Sequence, residues 1–395
     1  MPSPRLLLAV LAVAAVFVWL YGALDPVVFA ESGVMYYGPM AEAAPELDTG
    51  QIQPYVFRWL GPWLAGLLPL PVPLAFSVWA WIGSLALAAA MLWVCRADGR
   101  SAGAGALTAV LLAMNPYLFG FNVFNMYQLG DLIGQLALGV GLVLLWRRRY
   151  LPMGAVLAVA VLAREPPILM VPVAAVWLWE SGRLRSDGLR AGLALVPVVL
   201  LFAAPRLVMA DQEGPHLVQT FLNASGKAAD PATWARLLVN AWVPVVAVLV
   251  VWPHETARWL RDHLHLGALL GLTVASAFFG GDQERLMQPA VWAVYPAVAA
   301  VLDRRWLDGS RHRAEAGRIR PALGVLLVAG VLASLHHITA RFPLPSRGLT
   351  ATLAVVSLAL ALGAALWVRF GQPAKGARRS AHGLRRPLGD DSRNT

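Results

Sequence analysis

Charge is what this 395-residue sequence has least of. Only 14% of its residues are Asp, Glu, Lys or Arg, against about a quarter in soluble globular domains. That shortage excludes a soluble enzyme held by a single anchor, because too few charged side chains exist to cover its surface. Disorder of the whole chain is excluded too, since disorder needs few apolar residues and many charges. Cysteine is nearly absent: Cys95 stands alone, so no internal disulfide can form. No Walker-type phosphate loop occurs, which removes an ATPase, and Gly103-Ala104-Gly105 lacks the third glycine and the strand of a dinucleotide loop. Acids are the scarcer sign, 22 against 32 Lys and Arg, for a formal net charge of +10.

Apolar side chains fill the remainder. Hydrophobic residues make up 58% of the chain, and mean hydropathy is +0.61 over its whole length. A helix crosses the hydrocarbon core with about 20 mostly apolar residues. Runs of that kind occupy 6–24, 74–95, 102–119, 131–146, 150–163, 167–179, 190–209, 237–252, 265–280, 287–302, 321–338 and 350–368. The expected fold class is therefore an all-α polytopic membrane protein with about twelve transmembrane helices over residues 1–368. The first run is too long for a signal-peptide core and reads as a retained helix. The runs at 150–163 and 167–179 are short. Around Arg164-Glu165-Pro166-Pro167 they form either a tight hairpin or one broken span, because proline cannot continue the backbone ladder. Residues 369–395 are apolar-poor and rich in Arg, Gly and Ser, as in a disordered basic tail.

The basic residues orient the spans. With the N-terminus inside and twelve alternating spans, 24 of the 32 Lys and Arg fall on the inner side and eight on the outer. The positive net charge thus reflects the bilayer and not a nucleic acid. Both termini are expected in the cytoplasm, with the protein in the plasma (inner) membrane.

The polar chemistry gathers on the outer side. A long first outer loop, 25–73, holds Asp25, Glu31, Tyr55 and Arg58, with interfacial helical segments at 34–44 and 55–68. A second outer loop spans 211–236. Shorter connections carry Asp131, the pair Arg164-Glu165, and Asp282-Gln283-Glu284-Arg285, while His337 and Arg341 follow the eleventh span. Ionisable residues at membrane depth are costly and mark functional or paired sites. Five polar connections on one side are best read as the rim of one outer cavity, with carboxylates for proton transfer and arginines for a phosphate. Some signals are set aside: His263-Leu264-His265 reads as a solvated inner loop, His336-His337 as an interfacial pair, and the 16 tryptophans mostly as interface anchors. The residues require no metal, and whether a divalent ion takes part is left open.

Three stretches carry a likeness to known enzymes: Tyr55-Val56-Phe57-Arg58-Trp59-Leu60-Gly61-Pro62, Met35-Tyr36-Tyr37-Gly38-Pro39-Met40-Ala41, and Leu162-Ala163-Arg164-Glu165-Pro166. Together with the layout of residues 6–302 they resemble bacterial GT-C-type integral membrane glycosyltransferases. The resemblance implies an active site on the outer face, a polyprenyl-phosphate-linked sugar as donor and a hydroxyl acceptor. It also implies a catalytic carboxylate just after the first helix, where Asp25 is preferred over Glu31. The paired acidic motif of protein mannosyltransferases and a large soluble C-terminal domain are both missing, so acceptor and subfamily stay open. Arg58, Arg285 or Arg341 would stabilise the departing phosphate. Two other readings are a secondary transporter and a lipid-linked polysaccharide polymerase or ligase.

Overall fold

The computed structural model describes residues 3–23, 32–208, 217–307, 309–336, 341 and 345–370, and among them there are helices and turns but no strand. Backbone amides in an apolar setting must be satisfied within their own segment, which favours helices in every long apolar run. The chain opens with α1 (Pro4–Tyr21), capped by Ser3, whose hydroxyl accepts from the Leu6 amide. Two short helices follow, α2 (Ser32–Glu42) and α3 (Leu60–Gly66), and then α4 (Val72–Ala97) and α5 (Ala102–Ala113). The chain bends by 72° between α5 and Pro116–Phe124, a stretch that ends in the single turn α6 (Phe121–Phe124). Next come α7 (Leu129–Trp146), α8 (Tyr150–Ala160), α9 (Met170–Glu180) and α10 (Leu184–Val208). The second half contains α11 (Leu217–Ala229), α12 (Pro231–Leu238), α13 (Val246–Val251), α14 (Pro253–Asp262), α15 (Leu264–Ala277) and α16 (Gln283–Leu286). It closes with α17 (Val291–Arg305), α18 (Gly309–Ser334) and α19 (Arg347–Phe370).

Where they are described, the expected apolar runs are mostly helical, although Val243–Val245 interrupt the run at 237–252, and the count of twelve spans is not reproduced by length and composition. Among the described residues six helices are long and apolar enough to cross a membrane: α1, α4, Met126–Trp146, α10, Gly317–Ser334 and α19. The bent pair around α5 would make a seventh. The others are too short. An 11-residue helix such as α8 or α9 extends about 16 Å, roughly half the hydrocarbon thickness. α17 is different in kind: every residue from Val291 to Leu302 is buried, so it is a central post surrounded by other helices. This architecture is consistent with a polytopic membrane protein.

The hairpin alternative holds at Arg164-Glu165. Tyr150, which starts α8, donates to Asp187 at 2.7 Å just beyond the end of α9, so α8 and α9 return to the same end. α8 lies against α10 with no room for a side chain at Gly154, where a Cβ would overlap the Ala194 carbonyl. Small residues of this kind let membrane helices approach closely.

Polar contacts divide the molecule into two ends. One holds Asp303 accepting from the Ser101 amide at 3.0 Å, and Asp98 accepting from Trp259 at 3.3 Å. His263 and His265 belong here and are not a solvated loop. His263 pairs with Asp98 at 2.8 Å, while buried His265 lies 2.9 Å from Glu180 and accepts from Trp146 at 3.0 Å. Five of the 16 tryptophans depart from the interface expectation: Trp242, Trp252, Trp259, Trp292 and Trp306 are buried core residues. A large flat ring fills space between helices as well as it rests at an interface.

Candidate functional site: an arginine–carboxylate cluster

The opposite end is built on the turn that joins α8 to α9. The Arg164 amide donates to Ala160 at 3.1 Å, closing α8, and Pro166 and Pro167 start a short 3₁₀ segment toward α9. Two neighbours pin the turn from outside. The Leu60 amide at the head of α3 donates to the Leu162 carbonyl at 3.2 Å. Gly130, in the first turn of α7, packs so closely on the Ala163 carbonyl that a Cβ would overlap it. That approach carries the next residue, Asp131, to Arg164.

Asp131 is 8% exposed and Arg164 7%. Arg164 Nε lies 2.6 Å from Asp131 Oδ1, and Arg285 Nη1 from α16 donates to Asp131 Oδ2 at 2.9 Å. Asp131 therefore holds one guanidinium on each oxygen. Glu165 gathers two on a single oxygen: Arg58 Nε donates to its Oε1 at 2.9 Å and Arg206 Nη2, from the end of α10, to the same Oε1 at 3.2 Å. Arg164 bridges the halves, with its Nε 3.6 Å from Glu165. Burial alone would raise the Glu165 pKa, but Arg58 and Arg164 overcome it and hold the carboxyl at about 2. Burial works against the Arg58 charge, yet Glu165 and Tyr37 keep its pKa above the ordinary arginine value.

Aromatic rings shape the walls. Tyr55 stacks on Tyr36 at 4.2 Å and meets the edge of Tyr37 at 5.4 Å, which fastens α2 beside Arg58. Arg285 lies over Phe121 at 5.1 Å, and Arg206 over Phe202 at 4.0 Å and Phe57 at 4.8 Å. Further polar groups adjoin α16: Asn240 donates to Glu284 at 3.0 Å and to the Tyr117 hydroxyl at 3.2 Å, and His336 sits 2.9 Å from that hydroxyl. Arg236 is 3.7 Å from Glu284. Beneath it, buried Asn122, Gln135 and Gln288 form an amide ladder.

Seven of the twelve residues expected at the site converge here: Arg58, Asp131, Arg164, Glu165, Asp282, Glu284 and Arg285, with Tyr55 packed alongside. Arg341 is exposed and rests 5.7 Å over Trp19, away from these ion pairs. Asp25, Glu31 and His337 lie outside the described residues. Sequence reasoning missed Arg206, Arg236, Asn240, Tyr117 and His336 as members. Arg206 carried a usable signal, being one of the few basic residues on the expected outer side and sitting at a span end. Asn240, Tyr117 and the amide ladder carried none.

No protein-family model matches the chain, and no curated protein sequence matches it. The geometry must speak for itself. Among the described residues no group of three or more His, Cys, Asp or Glu is placed to hold a metal ion. The cluster instead presents four guanidiniums around buried Asp131 and half-buried Glu165, with exposed Asp282 3.3 Å from Arg285 Nε. The planar guanidinium fork is the side chain best matched to phosphate oxygens.

Proposed function

We propose that this protein is a multi-pass membrane glycosyltransferase of GT-C type. It would move a sugar from a polyprenyl-phosphate donor to a hydroxyl acceptor at the outer face, with both termini in the cytoplasm of a plasma membrane. The observation that carries this reading is the arginine–carboxylate cluster, because it joins all three stretches that resemble such enzymes: Tyr36 and Tyr37, Tyr55 through Leu60, and Leu162 through Pro166.

The cluster's depth supports it. Counted along α8 and its following turn from the Arg148–Asp187 pair, Arg164 is about 20 Å away, short of the roughly 30 Å hydrocarbon core. The guanidiniums are thus recessed from the far surface, at the level where a lipid-linked phosphate would arrive.

The residues divide the work. A phosphate leaving group departs as an anion, so it needs cations more than a proton donor. Arg285, whose guanidinium reaches the rim beside exposed Asp282, takes the donor phosphate, and Arg58 and Arg206 flank it. Asp131 and Glu165 each hold two guanidiniums and position them. The base role falls to Asp25, with Glu31 as second choice, where a carboxylate after the first helix would face the acceptor hydroxyl.

Transfer of radiolabelled sugar from polyprenyl phosphate in proteoliposomes tests the reading. Arg285→Lys keeps the charge but loses the planar fork, and transfer falls at least tenfold. Asp25→Asn, or Glu31→Gln if that is the base, lowers turnover by about 10²–10⁴-fold with donor binding intact. Absence of transfer with every polyprenyl-phosphate sugar tried would sink the proposal. One observation favours a secondary transporter instead, the 72° break between α5 and Pro116–Phe124 beside buried ion pairs. Broken helices at such sites are a transporter device, and saturable counterflow of a solute in the same vesicles would establish that reading.

A further inference from the structure

A second charged site lies at the other end of the molecule. A cavity of about 620 Å³ opens between the start of α8 and the first turns of α10. Its lining includes Arg147, Arg148, Arg149, Asp187 and Arg190, four guanidiniums against one carboxylate. We propose that this cavity binds the phosphodiester headgroup of an anionic phospholipid. The inference rests on the membrane reading alone and stands or falls independently of the transferase reading.

The walls are built and not merely crowded with charge. Arg148 has φ of +58°, a left-handed conformation that L side chains seldom adopt. It directs the guanidinium onto Asp187, with Nε donating at 3.0 Å and Nη2 at 3.2 Å. The Tyr150 hydroxyl donates to the same carboxylate at 2.7 Å. Asp187, itself 3% exposed, is thereby satisfied and does not neutralise the other arginines. Arg147 lies 5.4 Å over Trp93. Arg149 and Arg190 make no ion pair among the described residues, so their forks face the cavity without a counter-charge.

The surroundings choose a lipid over a soluble anion. Leu151 and Leu193, which also line it, are 78% and 63% exposed, and Leu189 on α10 is 77% exposed. Apolar side chains left bare beside a basic pocket suit an occupant with an anionic head and hydrocarbon tails. Basic pockets between helices near a membrane surface bind such headgroups.

The test titrates detergent-purified full-length protein with short-chain phosphatidylglycerol, phosphatidylcholine of equal chain length, and glycerol phosphate, reading Kd by thermophoresis. Phosphatidylglycerol binds saturably, and phosphatidylcholine and glycerol phosphate bind at least tenfold more weakly. R149Q/R190Q raises the phosphatidylglycerol Kd at least tenfold. R149K/R190K, which preserves charge and guards against a folding artefact, gives an intermediate loss. R318Q/R320Q removes the same charge elsewhere and changes Kd less than threefold. Equal weakening by the two Gln pairs would reduce the effect to diffuse electrostatics and overturn the site. Glycerol phosphate binding as tightly as the lipid, or no saturable binding at all, would overturn it equally.

Discussion

Asp131→Asn removes the charge at the centre of the cluster while keeping its shape. In the native protein the carboxylate accepts from Arg164 at 2.6 Å and Arg285 at 2.9 Å, both charge-assisted bonds of about 1.5–3 kcal/mol. An asparagine amide can still accept from one guanidinium, but its NH₂ must then face the other. Arg164 keeps only Glu165, at 3.6 Å, and is too buried for water to replace what it loses. Breaking a buried pair from one side costs about 3–5 kcal/mol. The surviving Glu165 contact places Asp131→Asn near the lower end, about 3 kcal/mol. Removing the stranded cation should recover much of this. In an Arg164→Gln background the same change should cost less than about 1.5 kcal/mol, a coupling of the size seen between residues in direct contact. Unfolding by SDS in mixed micelles, followed by tryptophan fluorescence, measures all four corners of the cycle. A single variant within about 0.5 kcal/mol of wild type, as for an ordinary surface change, would refute the reasoning. So would an identical cost in both backgrounds.

Other outcomes follow from the same geometry. Gly130→Ala would drive a methyl into the Ala163 carbonyl and costs about 1–3 kcal/mol by overpacking, whereas Gly192→Ala on α10, with open space at its Cβ, is neutral or stabilises by up to about 1 kcal/mol; the same unfolding assay separates them. Glu165 is held at about 2 against an ordinary 4.5, so its contribution is complete above pH 4.5 and is lost as pH falls toward 2. Wild type should therefore lose thermal stability between pH 5 and 3 more steeply than Glu165→Gln, and parallel profiles would remove the carboxylate as the cause. In a Cys95-free background, Arg318→Cys should resist labelling by a membrane-impermeant reagent added outside whole cells; ready labelling would invert the proposed orientation.

Much of the candidate site was legible because charge in an apolar chain is conspicuous. Arg58, Asp131, Arg164, Glu165 and Arg285 stand out against their apolar neighbours, and the alternation of spans assigned them to one side. Hydropathy and the cost of unsatisfied amides in hydrocarbon were enough to determine an all-helical chain with its helices in the expected places. They could not determine how many helices cross. That depends on which apolar residues face lipid and which face one another: α17 is apolar because other helices surround it, and α8 and α9 are short because they meet at a recessed turn. Pairing also belonged to the tertiary structure. Nothing local links Asp131 to Arg285, 154 positions away, or Arg206 to Glu165. Those contacts exist because Gly130 lets α7 close on the Ala163 carbonyl and because α10 returns to the turn it follows. The two histidines beyond α14 show the same division. Their neighbours in sequence are polar, so they read as solvated, but Asp98 pairs with half-buried His263 while Glu180 and Trp146 enclose buried His265. Composition determines what a segment must avoid, whereas the partner that satisfies a particular polar group is decided by the packing of distant backbone.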